Sequence, residues 1–212
     1  MMIRPYLPDP PITDTVPWQV ILSFTVLLAA VLAAAICIAR YAAGKFKCNK
    51  KWTVIGFAAL SIVSAVAMFC FFGFSATTVK GIIMFLILLF ASFSDIKKRE
   101  CDDYIHPMLV VAAFIGTSLT SVPGMFLSAM VVVGIMIMAL LLFDGEIGGA
   151  DVKLAAACSF VLGLNRAFVG LAVGLTLAVF INLIKNRKKK EKHASFPLVP
   201  YLATGFMMAY FI

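Results

Sequence analysis

Residues 78–96 read TVKGIIMFLILLFASFSDI, and between Lys80 and Asp95 no side chain carries a charge. A helix over this stretch approaches the roughly 20 apolar residues needed to cross a bilayer. Lys80 sits where a long side chain can snorkel to the interface. Asp95 has no such reach. An acid at the edge of a hydrocarbon span is costly to desolvate and is more often functional than decorative.

Working outward, the same pattern recurs along the chain. Apolar segments lie at 18–39, 53–74, 78–96, 107–122, 125–143, 151–164, 167–184 and 197–212, with Pro123-Gly124 expected as a turn between the fourth and fifth. The sixth has only 14 residues, short for a hydrocarbon core of about 30 Å. The 212 residues are 63% hydrophobic and 13% charged, a composition that a soluble domain of this size could not bury. The expected fold is therefore all-α: a polytopic membrane bundle of about eight transmembrane helices.

Charge orients the bundle. With eight spans, the loops at 40–52, 95–106, 144–153 and 185–196 share one side and hold 15 of the 18 basic residues, leaving Arg4, Lys80 and Arg166 opposite. By the positive-inside rule that side is cytoplasmic and both termini are extracytoplasmic. The net charge of +8 so reads as topology and contact with membrane lipids, and nucleic acid is not an expected partner. A cleaved signal peptide is the competing reading of the N-terminus, but the leader's Asp9 and Asp14 and the long apolar run argue for a true span. The five cysteines form no C-x-x-C pair, so neither a disulfide framework nor a metal site is expected. His106 and His193 are isolated at loop edges and are expected to be solvated.

A second acid stands out. Asp151 follows the turn GEIGGA and opens the sixth span, and the assigned topology brings it to the same membrane face as Asp95, 56 residues away. Two carboxylates sharing a site cannot both ionise easily. One then takes a proton from water while the other, protonated, polarises a scissile carbonyl, and the pair titrates as a unit.

The flanking residues resemble those of the type IV prepilin peptidases, including the archaeal preflagellin peptidases, within the G-x-G-D class of membrane aspartyl proteases. SDIKKRECDDYI is similar to the family's Asp-hydrophobic-Lys/Arg-x-Arg-x-Ile-Pro-Asn-x-hydrophobic pattern. Asp95, Ile96, Lys97, Arg99 and Ile105 match, while Cys101, Asp102 and Asp103 replace Ile-Pro-Asn. GGADVKLAAA is similar to G-x-G-D-hydrophobic-Lys-hydrophobic: Gly148, Asp151, Val152, Lys153 and Leu154 match, and Ala150 replaces the second glycine. FPLVPYLATGF also looks like the family's proline-containing final helix.

The resemblance implies a six-span catalytic core over 77–212, preceded by a two-span extension over 1–76. It implies Asp95 and Asp151 as catalytic acids with no metal or cofactor, and prepilin-like or preflagellin-like precursors as partners. It further implies cleavage after a glycine at the end of a basic leader, at the cytoplasmic face. Bacterial members that also N-methylate carry a cysteine-pair zinc element that nothing here matches, so a peptidase without methyltransferase activity is expected. Gly148 and Gly149 would shape the turn before Asp151, and Ala150 would cost roughly 1–2 kcal/mol if its φ had to be positive. Lys153 either marks topology or holds this turn or a substrate carboxylate. Glu100, Asp102, Asp103, Asp144 and Glu146 either attract the basic leader or balance nearby lysines.

Two alternatives remain at this point. A presenilin-type or signal-peptide-peptidase-type protease would need a Tyr-Asp motif where Phe93-Ser94 precedes Asp95. A small ion-coupled transporter would use Asp95 and Asp151 as relay carboxylates on a path open to both faces.

Overall fold

A computed structural model describes residues 18–142, 148–188 and 197–212. Every regular element among them is helical: α1 (Trp18–Lys45), α2 (Lys50–Phe72), α3 (Ala76–Lys98), α4 (Ile105–Ala113), α5 (Val122–Leu142), α6 (Gly149–Leu162), α7 (Leu164–Lys188) and α8 (Val199–Tyr210). The boundaries follow local chemistry. Asn49 caps α2 by accepting the Lys51 N–H, and Ser75 caps α3 by accepting the Thr78 N–H. Gly73 and Gly163, at φ 61° and 78°, end α2 and α6 where an L side chain would be strained.

Each of the eight expected segments contains a helix, but only α1, α2, α3, α7 and the stretch Leu119–Leu141 are long and apolar enough to cross a membrane. The fourth segment departs most. α4 stops at Ala113 instead of running to 122, and the chain turns at Gly116, φ 64°, whose bare Cα lies against the Ala76 side chain. The expected Pro123-Gly124 turn is corrected accordingly: both residues lie in the first turn of α5, after a 3-10 turn at Leu119–Ser121. Proline is tolerated there because the first-turn N–H groups lack helical partners. The short helices α6 and α8 pack much of their surface against protein. In α6, Leu154, Ala155, Cys158, Ser159 and Phe160 are buried, as are Leu202, Phe206 and Ala209 in α8.

α3 is the centre of the bundle and packs on α1, α2, α4 and α8. Phe93 takes edge contacts from Phe46 and Phe57, 5.6 and 5.5 Å between ring centres, which seats the first two helices on α3. α7 and α8 approach backbone to backbone: a Cβ on Gly205 would fall 2.7 Å from the Gly174 Cα, and Gly170 lies one turn away. This is the small-xxx-small contact expected between membrane helices.

Side-chain ties define two ends. At one, Lys45 at the close of α1 meets Asp102, and Asp95 near the close of α3 meets Val199 at the start of α8. At the other, Tyr210 Oη donates to the Thr77 carbonyl at 2.7 Å and Lys80 Nζ donates to Thr117 Oγ1. α8 therefore runs antiparallel along α3.

Candidate active site

Asp95 lies one turn before the end of α3. Arg99 closes that helix in the left-handed region, φ 58°, its N–H donating to the Asp95 carbonyl. The Asp95 side chain is 7% exposed and its Oδ2 accepts the Val199 N–H at 3.1 Å. Val199 is the first residue of α8, so the carboxylate lies at a helix N-terminus, where unpaired N–H groups and the helix dipole favour negative charge. Ser94 Oγ donates to the Glu100 carbonyl at 3.0 Å and folds the following loop back over the end of α3.

Asp151 stands in the first turn of α6, and its Oδ2 accepts the Gly148 N–H at 3.2 Å. A first-turn carboxylate thus satisfies one of the orphan donors at its own helix start. A Cβ on Gly148 would fall 3.1 Å from that oxygen, whereas one on Gly149 would meet open space. The condition under which Ala150 would be strained is not met: Gly148 is extended at φ −71°, and Ala150 is helical with no positive φ. Gly148 leaves room for the carboxylate, and alanine at 150 carries no backbone strain. Asp151 lies at the same end of the bundle as Asp95: Asp103, in the loop after α3, pairs with Lys153, two residues past Asp151.

The loop between α3 and α4 carries the other sequence-identified acids. Asp102 Oδ2 accepts from Lys45 Nζ at 2.6 Å, and aromatic rings of Tyr41, Phe46, Phe90 and Tyr104 surround that ammonium. Asp103 pairs with Lys153 at 3.3 Å, largely in the open. Glu100 is exposed, while Asp144 and Glu146 lie outside the described residues. Cys101 sits among the acids: burial, then Asp151, Asp95, Asp102 and Asp103, push its thiol up to about 12. Among the described residues no three His, Cys, Asp or Glu side chains converge in a way that could hold a metal ion.

His106 corrects a further expectation. It is half-buried rather than solvated, with Nδ1 3.2 Å from the Asp103 carbonyl and Nε2 3.3 Å from the Ala150 carbonyl. Sequence reasoning also missed Lys45 and the Val199 amide. A histidine or lysine at a helix end carries no signal of a partner 44 or 57 positions away, and a backbone amide carries none at all.

The arrangement sets two carboxylates at one end of the bundle, each held by a backbone N–H. Residues 82–184 match the sequence profile of the type IV leader peptidase family. The match runs from α3 into α7 and contains both Asp95 and Asp151. No curated protein and no solved structure matches the chain. Over the matched stretch, just under half of the chain, the protein is similar to the type IV leader peptidases, and its long apolar helices are those of a multi-pass membrane protein.

Proposed function

We propose that the protein is an aspartic endopeptidase that removes the basic leader of prepilin-like or preflagellin-like precursors at the cytoplasmic face of the plasma membrane, both its termini being extracytoplasmic. The observation that carries this reading is that Asp95 and Asp151 lie at the same end of the bundle, where Asp103 and His106 of the α3–α4 loop meet Lys153 and Ala150 of α6. One carboxylate, ionised, takes a proton from water as it attacks the scissile carbonyl. The other, protonated, donates to the carbonyl oxygen. The pair exchanges these states as a unit, so neither acid has a fixed role. This chemistry requires no metal or cofactor.

The basic residues at that end, among them Lys45, Lys97, Lys98, Arg99 and Lys153, support a cytoplasmic assignment. A precursor enters with its hydrophobic helix in the bilayer and its leader at the interface. Exposed Glu100 and Asp103 attract the leader's basic side chains, while Asp102 is engaged by Lys45. Gly148, Gly149, Ala150 and Lys153 frame the Asp151 side of the site. The cysteine-pair element of methylating relatives has no counterpart among the five cysteines, and the proposed activity is cleavage without N-methylation. Both acids at one end favour this reading over an ion relay, which would spread carboxylates along a path through the bilayer.

Co-expression with candidate precursors tests it. Wild type is expected to shorten the precursor, and Asp95→Asn and Asp151→Asn to leave it whole. Processing at the normal rate by either variant would sink the two-acid mechanism.

A further inference from the structure

The segments that carry Asp95 and Asp151 come from separate helices, so their relative placement depends on what ties the α3–α4 loop to the start of α6. His106 does this directly. Second residue of α4, it has its Nδ1 3.2 Å from the Asp103 carbonyl in its own loop and its Nε2 3.3 Å from the Ala150 carbonyl in α6. The Ala150 carbonyl and the Asp151 N–H belong to one peptide plane. A tie to that oxygen restrains the backbone at the point where the Asp151 side chain departs. A helical carbonyl keeps a second lone pair for such a donor. Lys153–Asp103 joins the same segments, but its partners are 63% and 90% exposed, and exposed pairs hold geometry weakly.

We propose that His106 is a positioning residue: its Nε2–H donates to the Ala150 carbonyl and fixes the turn that presents Asp151 to Asp95. The inference rests on the aspartic reading above and adds to it a residue that acts through the turn before Asp151. A carbonyl only accepts, so the tie to Ala150 needs the proton on Nε2; the contact of Nδ1 with the Asp103 carbonyl needs a proton of its own, and a neutral ring donates to only one of the two. Displacement of a catalytic group by about 1 Å costs on the order of a hundredfold in rate. Loss of the tie therefore acts on kcat, and substrate binding is untouched.

The test uses the full chain in detergent micelles with a synthetic precursor, a Lys/Arg-rich leader ending in glycine ahead of a hydrophobic helix. In His106→Gln the amide nitrogen occupies the place of Nε2 and reaches Ala150. In His106→Asn it occupies the place of Nδ1 and reaches only Asp103. His106→Ala and His106→Asn are expected to lower kcat roughly tenfold to a hundredfold with KM unchanged, and His106→Gln to recover most of the loss. Amide exchange over 149–152 should quicken in the alanine and asparagine variants and stay slow in the glutamine variant. Wild-type kcat in His106→Ala, an effect on KM alone, or equal losses in the glutamine and asparagine variants overturns the proposal. Asp151→Asn separates the two ideas. If it is inactive while His106→Ala is normal, the aspartic reading stands and the tie does not matter. If it is active, the aspartic reading falls. If wild type leaves the precursor whole, the function falls and amide exchange alone decides whether His106 holds the turn.

Discussion

The Asp95 carboxylate accepts the backbone N–H of Val199 at 3.1 Å, so a buried acid near the end of α3 meets the first residue of α8. The bond makes Asp95 structural as well as chemical. Asparagine offers a carbonyl oxygen of the same shape, whereas alanine leaves a buried N–H without an acceptor, at a cost of about 1–3 kcal/mol. Asp95→Asn is expected to be inactive with near-wild-type thermal stability in detergent, and Asp95→Ala to be inactive and clearly less stable. Equal stability of the two would show that the Val199 contact holds nothing.

The glycines before Asp151 separate in the same way. A methyl at Gly148 would press on the Asp151 oxygen at 3.1 Å, while a methyl at Gly149 meets nothing within 4 Å. Gly148→Ala is expected to cut precursor cleavage at least tenfold without unfolding the protein. Gly149→Ala and Ala150→Gly should stay within about 1 kcal/mol of wild-type stability, since only helix propensity changes. A Gly149→Ala loss as large as that of Gly148→Ala removes the crowding argument.

These positions also mark what could be read from the chain alone. Asp95 and Asp151 were legible because an acid beside lipid stands out against apolar neighbours. The long helices were legible because bilayer thickness imposes their length on the sequence. The early end of α4 was not, because the apolar run through Phe114 and Ile115 hides the turn at Gly116. The room that Gly148 leaves for the Asp151 carboxylate was not legible, because a glycine that makes room for a side chain looks, in sequence, like one that makes a turn.

Lys45 and Asp102 join α1 to the loop that follows Asp95, with side chains 23% and 26% exposed. Partial burial and the surrounding rings place this pair above a surface ion pair, at about 1–2 kcal/mol of coupling. A double-mutant cycle with Lys45→Met and Asp102→Asn, read by thermal unfolding, is expected to return that value. The same cycle on Lys153 and Asp103 should return under about 0.5 kcal/mol, as for exposed pairs generally. Coupling no larger at Lys45–Asp102 than at Lys153–Asp103 would mean that α1 does not anchor the loop.

Cys101 reports on the acids without any substrate. Burial, followed by Asp151, Asp95, Asp102 and Asp103, raises its thiol from 9.0 to about 12. Thiolate at pH 8 is then about a thousandfold scarcer than for an unshifted thiol, partly offset by the greater nucleophilicity of a more basic sulfur. In a variant keeping only Cys101, iodoacetamide labelling at pH 8 is expected to run roughly thirtyfold or more below an ordinary thiol. Removing a neighbouring anion lowers the thiol pKa, so Asp95→Asn and Asp151→Asn should each speed labelling. Unchanged rates in both would mean that the two carboxylates carry no charge near Cys101.

The last dependence runs through packing. α8 supplies the amide that holds Asp95, and α8 is itself held by the close approach of Gly205 to Gly170 and Gly174 on α7. A Cβ at 205 would lie 2.5 Å from the Gly174 nitrogen, a backbone atom that cannot swing aside as a flexible side chain could. Overpacking of this kind costs about 1–3 kcal/mol. Gly205→Ala is expected to lower thermal stability by that amount and to reduce cleavage as Val199 shifts from Asp95. Gly134→Ala, where a Cβ meets open space, is expected to change neither. If Gly205→Ala is destabilised yet cleaves at the wild-type rate, the start of α8 does not depend on the glycine contact, and the Val199 amide keeps its place by other means.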